Sequence, residues 1–118
     1  MSKQVEIVVE WTINPGKFTE FKNLAEAATT AVRENEPEAS RYIWYFAKDQ
    51  GKCILTEAYA DSGAFMFHLK NVSPILTELF KVAVMTRFEV LGPLSEEAER
   101  TVREHGAKRF EYGTGVDR

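Results

Sequence analysis

The sequence predicts an α+β fold of the ferredoxin-like kind, βαββαβ, with an antiparallel sheet and helices on one face. Three observations predict it. Val5, Ile7, Val9, Trp11 and Ile13 recur at a period of two, the spacing of a strand with one buried face. Phe18, Phe21, Leu24, Ala25, Ala28, Ala31 and Val32 then recur at helical spacing. Two strand-like runs, a second helical run and a further strand complete the same order again.

Each element has its punctuation. Asn14-Pro15-Gly16 ends the first strand as a turn. The helix from about Lys17 to Asn35 stops at Glu34 to Pro37, because the residue before a proline avoids helical geometry. Arg41 to Ala47 reads as a strand with Tyr42, Trp44 and Phe46 on one face and Ile43, Tyr45 and Ala47 on the other. Lys48 to Gly51 is a hairpin loop, and Lys52 to Ala60 is the third strand. Asp61 or Ser62 caps the next helix. That helix is expected to break near Asn71 and restart at Ser73-Pro74, since serine caps well and proline suits a first helical position. Met85 to Leu91 is the fourth strand, with Thr86, Phe88 and Val90 opposite Met85, Arg87, Glu89 and Leu91. Glu96 to Glu104 is a charged helix capped by Gly106, Lys108 to Tyr112 a short strand, and Gly113 to Arg118 a loose tail.

The bulk numbers narrow the function classes. At 118 residues the chain suits one domain over its whole length, 1–118. A net charge of −3, with lysine and arginine scattered among acids, argues against a nucleic-acid partner. No apolar run approaches the roughly 20 residues of a membrane span. Cys53 stands alone, so no internal disulfide forms, and the N-terminus lacks an apolar signal core. These features predict a cytoplasmic protein. Strands two and three carry apolar groups on both faces, so a sheet covered on one side leaves an apolar patch. A second copy packed sheet to sheet is the simplest cover, which predicts a homodimer.

The centre of the chain carries the candidate chemistry. Phe65, His68 and Leu69 share one helical face, and the apolar pair marks that face as buried. Glu57 and Tyr59 share a face of the preceding strand. Asn14 to Phe21, Glu57 to Asp61, Phe67-His68-Leu69 and Glu89 to Leu94, in that order after a strand, resemble the antibiotic biosynthesis monooxygenase family. The resemblance covers about Val5 to Gly92. It implies a dimeric α+β barrel. It also implies a monooxygenase that oxidises a small hydroxylated aromatic or quinol without flavin, metal or haem, although the family includes members with no established activity. His68 matches the family's helical histidine and Glu57 its strand carboxylate.

A histidine suits this role because its pKa lies near neutrality, so it can take a phenolic proton. Glu57 can orient it, or can instead pair with a cation on a neighbouring strand. Trp11, Trp44, Tyr45 and Tyr59 can line an aromatic pocket with indole and phenol donors, Phe65 can form its mouth, and Arg87 can hold an anionic oxygen. Plain core packing is the competing role for each aromatic, and an ion pair with Glu89 or Glu57 the competing role for Arg87. Two other readings stay open: a non-catalytic dimeric module that binds a small ligand, and haem binding. The haem-binding relatives of this fold use a strand asparagine and a tryptophan before the helix, where this chain has Ala58-Tyr59-Ala60. Two histidines and one cysteine far apart make no zinc site, and no nucleotide, hydrolase or protease motif is present.

Overall fold

The computed structural model describes residues 2–118. The elements run β1 (Val5–Ile13), α1 (Phe18–Asn35), β2 (Ala39–Phe46), β3 (Lys52–Tyr59), α2 (Ser62–Val82), β4 (Ala83–Leu91), α3 (Glu96–Glu104) and β5 (Lys108–Phe110). The sheet order is β2-β3-β1-β4-β5. The first four strands pair antiparallel, as the ferredoxin-like order requires, and β5 adds parallel to β4. The sheet is therefore mixed only at its last edge.

Register decides what faces the helices. Val90, Ile7, Glu57 and Tyr42 align across four strands, and Phe88, Val9, Leu55 and Trp44 form the next row. Met85, Trp11, Cys53 and Phe46 form a third. Nearly every member is apolar, and β1 is buried at every second residue. Glu57 is the one carboxylate in these rows, so the sheet itself marks where polarity enters the core. Cys53 is a buried free thiol, and burial pushes it up to about 12, which leaves it inert at neutral pH.

Two local readings are corrected. The second helix does not break near Asn71: α2 runs unbroken through Pro74. Proline removes only one helical hydrogen bond. The apolar stripe Phe65, Val72, Leu79 and Val82 stays buried on both sides of it, which holds the two halves in line. In β4 the register shifts at Glu10/Trp11, so Met85 rather than Thr86 joins the inward row. Thr86 turns to the other face, where its hydroxyl donates to Glu10 Oε1 at 2.7 Å. A bulge of this kind inverts the alternation that a strict period of two predicts.

α3 packs on the helical side despite its charge. Ala98 and Val102 are buried, and Arg109 of β5 reaches Glu99 at 2.7 Å. The opposite sheet face is uncovered: Ile43 and Tyr45 are 41% and 52% exposed there. No helix among the described residues is long and apolar enough to cross a membrane.

Gly92 ends β4 with φ at +100°, and a Cβ there would stand 2.4 Å from the Gln4 carbonyl oxygen. Gly16 has φ at +79° but nothing within 4 Å. Gly16→Ala should therefore cost only the left-handed backbone strain, about 1–2 kcal/mol. Gly92→Ala should cost distinctly more, because the backbone at Gln4, just before β1, must also give way. Urea midpoints at constant slope measure both; equal losses would show that the Gln4 contact relaxes freely.

Candidate functional site

The site begins with the cap of α2. Asp61 accepts a hydrogen bond from the Ala64 amide at 2.9 Å, which fixes where the helix starts and so which residues face inward. Phe65 and His68 are buried on that face. His68 lies against the polar end of the Ile7–Glu57–Tyr42 row, with its ring 4.9 Å from that of Tyr59 and 5.2 Å from that of Tyr42.

Both ring nitrogens of His68 meet carboxylates. Nε2 is 3.4 Å from Glu57 Oε1. Nδ1 lies 3.0 and 2.9 Å from the two oxygens of Glu36. Glu36 is the residue before Pro37, and that position keeps it out of helical geometry, at φ −126° and ψ 75°, as α1 ends. Asn71, one turn beyond His68, donates to Glu36 Oε2 at 2.7 Å and to the Ala31 carbonyl at 3.0 Å. The Tyr59 hydroxyl donates to Glu57 Oε1 at 2.5 Å. Glu36, Glu57 and His68 are all buried.

The environment separates these groups electrically. Burial pushes the Glu57 carboxyl above the ordinary carboxylate range, against the opposing pull of His68 and of the Tyr59 hydroxyl. Burial and then the charge of Glu57 push the phenols of Tyr59 and Tyr42 up, so both stay protonated donors. The Glu36 carboxylate has His68 and Asn71 as donors and no lysine or arginine among the described residues.

A cavity of about 50 Å³ adjoins this chain of groups. Trp11, Trp44, Phe65, Glu57 and His68 stand on its wall, with Ile7, Val9 and Leu55 from the sheet. Both indole N–H groups, of Trp11 and Trp44, are buried without a hydrogen-bond partner. Tyr42, Leu69, Leu76, Met85 and Phe88 complete the wall and, like Trp44, are only partly buried, which marks the rim.

The structure thus brings together His68, Glu57, Tyr59, Trp11, Trp44 and Phe65, with Tyr59 behind Glu57 rather than on the cavity wall. Two predicted site residues lie elsewhere. Tyr45 opposes Ile54 on the uncovered sheet face, because odd and even residues of a strand part company. Arg87 is also on that face and donates to Glu89 at 2.9 Å. Glu36, Asn71 and Tyr42 were not predicted. The signals for them were slight: an acid before a proline, and an asparagine three residues beyond the histidine on the same helical face.

A model of the antibiotic biosynthesis monooxygenase family matches residues 4–84. The chain belongs to that family. The matched stretch contains Glu36, Glu57 and His68 but neither α3 nor β5. Among solved structures, MupZ from Pseudomonas fluorescens superposes with a TM-score of 0.83 at 21% identity, over 99% of this chain and 96% of that one. SnoaB from Streptomyces nogalater, a cofactor-independent oxygenase, gives 0.67 at 16%, over 80% and 96%. Rv0793 from Mycobacterium tuberculosis gives 0.66 at 23%, over 79% and 97%. No curated protein sequence matches significantly. The α+β, ferredoxin-like fold of this family member is accordingly the one its sequence predicted.

A raised native carboxyl favours folding below the unfolded value of 4.5, and this contribution is lost as pH rises through the native value. Glu57→Gln removes that titration while keeping an acceptor for the Tyr59 hydroxyl. The melting temperature of the variant relative to wild type should therefore climb as pH rises above the unfolded value of 4.5. A difference that stays flat with pH would show that Glu57 titrates as in the unfolded chain. Asn71→Ala removes a donor from buried Glu36 and should cost about 1–3 kcal/mol by urea denaturation.

Proposed function

We propose that this chain is a monooxygenase that needs no flavin, haem or metal and oxidises a small hydroxylated aromatic or quinol. The observation that carries the reading is His68, a buried imidazole on the wall of a largely apolar cavity with Nδ1 held by Glu36. A carboxylate on Nδ1 favours the tautomer whose Nε2 bears the lone pair, and with Glu57 3.4 Å from Nε2 it stabilises the imidazolium that forms on protonation. Family membership and the oxygenase SnoaB support the reaction class.

Nε2 takes the proton of a phenolic hydroxyl, and the resulting phenolate is electron-rich enough to pass an electron to dioxygen. One oxygen atom of dioxygen bonds to the ring and the other leaves as water, so a phenol with a free para carbon becomes a quinone. Shelter from water protects the charged intermediate and strengthens its contacts with the protein. Trp11 and Trp44 each hold an unused N–H at the same cavity, suited to ring oxygens of the substrate. Catalysis is thus assigned to His68 with Glu57, and substrate contact to Trp11, Trp44, Phe65 and the Tyr59 side of the cavity.

The uncovered sheet face is assigned to a second copy of the chain. Ile43, Tyr45 and Val84 are exposed on it, a surface that a symmetric pair would bury. Light scattering at micromolar concentration should give about twice 13.4 kDa. A mass that stays at one chain would remove the dimer.

One observation favours a purely structural role instead, namely the small volume of the cavity. His68→Ala decides between them. It should leave the fold intact and lower kcat for oxygen uptake on dihydroxynaphthalenes or anthrones by ~10²–10⁴-fold, the usual contribution of a positioned base. Full activity in that variant would move the base elsewhere. A variant that loses stability with no change in turnover would make His68 a core residue.

A further inference from the structure

We propose that the floor of the inner cavity is the dioxygen site, and that the indole N–H of Trp11 holds the superoxide formed there. The inference rests on the monooxygenase reading. It divides the cavity, giving the floor to the gas and leaving the rim to the aromatic ring.

Size and lining select the gas. The cavity has about 50 Å³, which holds a few waters at most and no aromatic ring. Ile7, Val9 and Leu55 form its floor; they sit in paired strands and are buried, with Trp11 and Phe65 beside them. An apolar cavity takes up xenon or a small apolar molecule, whereas water needs two or more polar partners. Dioxygen is apolar and only two atoms long.

Trp11 supplies what the gas needs once it is reduced. Its side chain is among the most deeply buried, and its Nε1–H has no partner in the protein. An indole N–H donates and cannot accept, so it gives little to neutral dioxygen and a charge-assisted bond to an anion. An anion without a donor is costly in an apolar space. A donor that engages only the reduced form therefore speeds its formation. Trp44 stands on the same wall but is partly buried, at the rim, so its N–H is left for an oxygen of the ring. His68, once it has taken the phenolic proton, adds a positive charge at the same cavity.

Atoms and electrons balance with His68 neutral at the end. Nε2 takes the phenolic proton. The phenolate gives one electron to dioxygen, which leaves a phenoxyl radical at the rim and superoxide on the floor. The two radicals couple, forming a C–O bond at the free para carbon, and His68 returns its proton to the outer oxygen. The para C–H bond then breaks, and its electron pair forms the π bond of the second carbonyl as the O–O bond breaks. The departing hydroxide takes that proton and leaves as water.

The test of the gas site needs no phenol. Dioxygen is paramagnetic and speeds the relaxation of nearby protons. The protein is labelled with ¹³C at Ile, Leu and Val methyl groups and with ¹⁵N at tryptophan, and nitrogen is replaced by dioxygen under pressure. Methyl relaxation should rise at least about threefold more at Ile7, Val9 and Leu55 than at Val5, Val72 and Leu79, which are as deeply buried but lie off the cavity. The Trp11 indole proton should respond with the cavity methyls. Val9→Ile adds a methylene at the floor while keeping a β-branched strand residue, and it should at least halve the response of Ile7 and Leu55. A response at the cavity methyls no larger than at the buried controls, a silent Trp11 indole proton, or an undiminished response in Val9→Ile would overturn the site. The first two comparisons use wild type alone, so they decide even where Val9→Ile folds poorly. In turnover, Trp11→Phe keeps an aromatic ring and removes the N–H. It should lower kcat/KM for dioxygen by ~10²-fold, the usual loss of one donor to a developing anion, with KM for the phenol unchanged. An unchanged kcat/KM for dioxygen would take the superoxide away from Trp11. Gas entry needs no turnover, so the relaxation result stands apart from the oxygen-uptake assay of His68→Ala that judges the monooxygenase reading.

Discussion

The fold around the cavity depends on one constraint: two carboxylates and an imidazole are held out of water in a single chain of contacts. Placing such groups in the interior costs several kcal/mol per ion unless each finds a partner. Glu36 finds His68 and Asn71, and Glu57 finds Tyr59 and His68. The three groups come from the end of α1, the middle of α2 and β3. Their contacts therefore tie both helices to the sheet at one point. Loss of any member leaves a buried partner unsatisfied, which costs more than the bond itself contributes.

This arrangement is not the most economical for stability. An apolar replacement of equal volume is often neutral or better at such a position. Two indole donors left unpaired at the same cavity add to the imbalance. Orphaned donors and buried charges concentrated at one cavity, in an otherwise apolar core, are the pattern of a site shaped for something other than its own packing. The carboxylate is confined to one row: the rows containing Leu55 and Cys53 hold no charged group, although Trp44 and Trp11 within them contribute the two unpaired indoles.

Much of this was legible in the sequence because it follows from period and capping. The alternation of Val5 to Ile13 located the central strand, and the i, i+3, i+4 spacing of Phe65, His68 and Leu69 put the histidine inside. Glu57 was legible as sharing a face with Tyr59, and its inward direction follows from pairing with Ile7. What stayed hidden depends on tertiary contact. Glu36 lies 32 residues from His68, and its local context of Glu34, Glu36 and Glu38 reads as a solvated acidic run. Only the docking of α1 against α2 turns its carboxylate inward. The unbroken path of α2 through Pro74 was hidden for a related reason, since local propensity favours a break and core packing overrides it. Tyr45 and Arg87 were misplaced because residue type alone does not say which sheet face is the pocket.

The division of the cavity wall sets the physical terms on which a ligand enters. About 50 Å³ holds only a few waters, since each needs roughly 10–15 Å³ of such volume. A diatomic gas fits that space, but an aromatic ring needs more. The floor cannot provide it: Ile7, Val9, Trp11 and Glu57 sit in paired strands and are buried. The rim can, because Leu69, Leu76, Met85 and Phe88 are partly exposed and belong to the seam between α2 and β4. Met85 is unbranched and repacks at small cost. Expansion at the rim would leave Nδ1 of His68 on Glu36, because that contact lies toward α1, away from the seam. The polar end of the cavity is thus held by hydrogen bonds and its apolar end is formed by partly exposed side chains, so an aromatic ring would have to find its space at the rim.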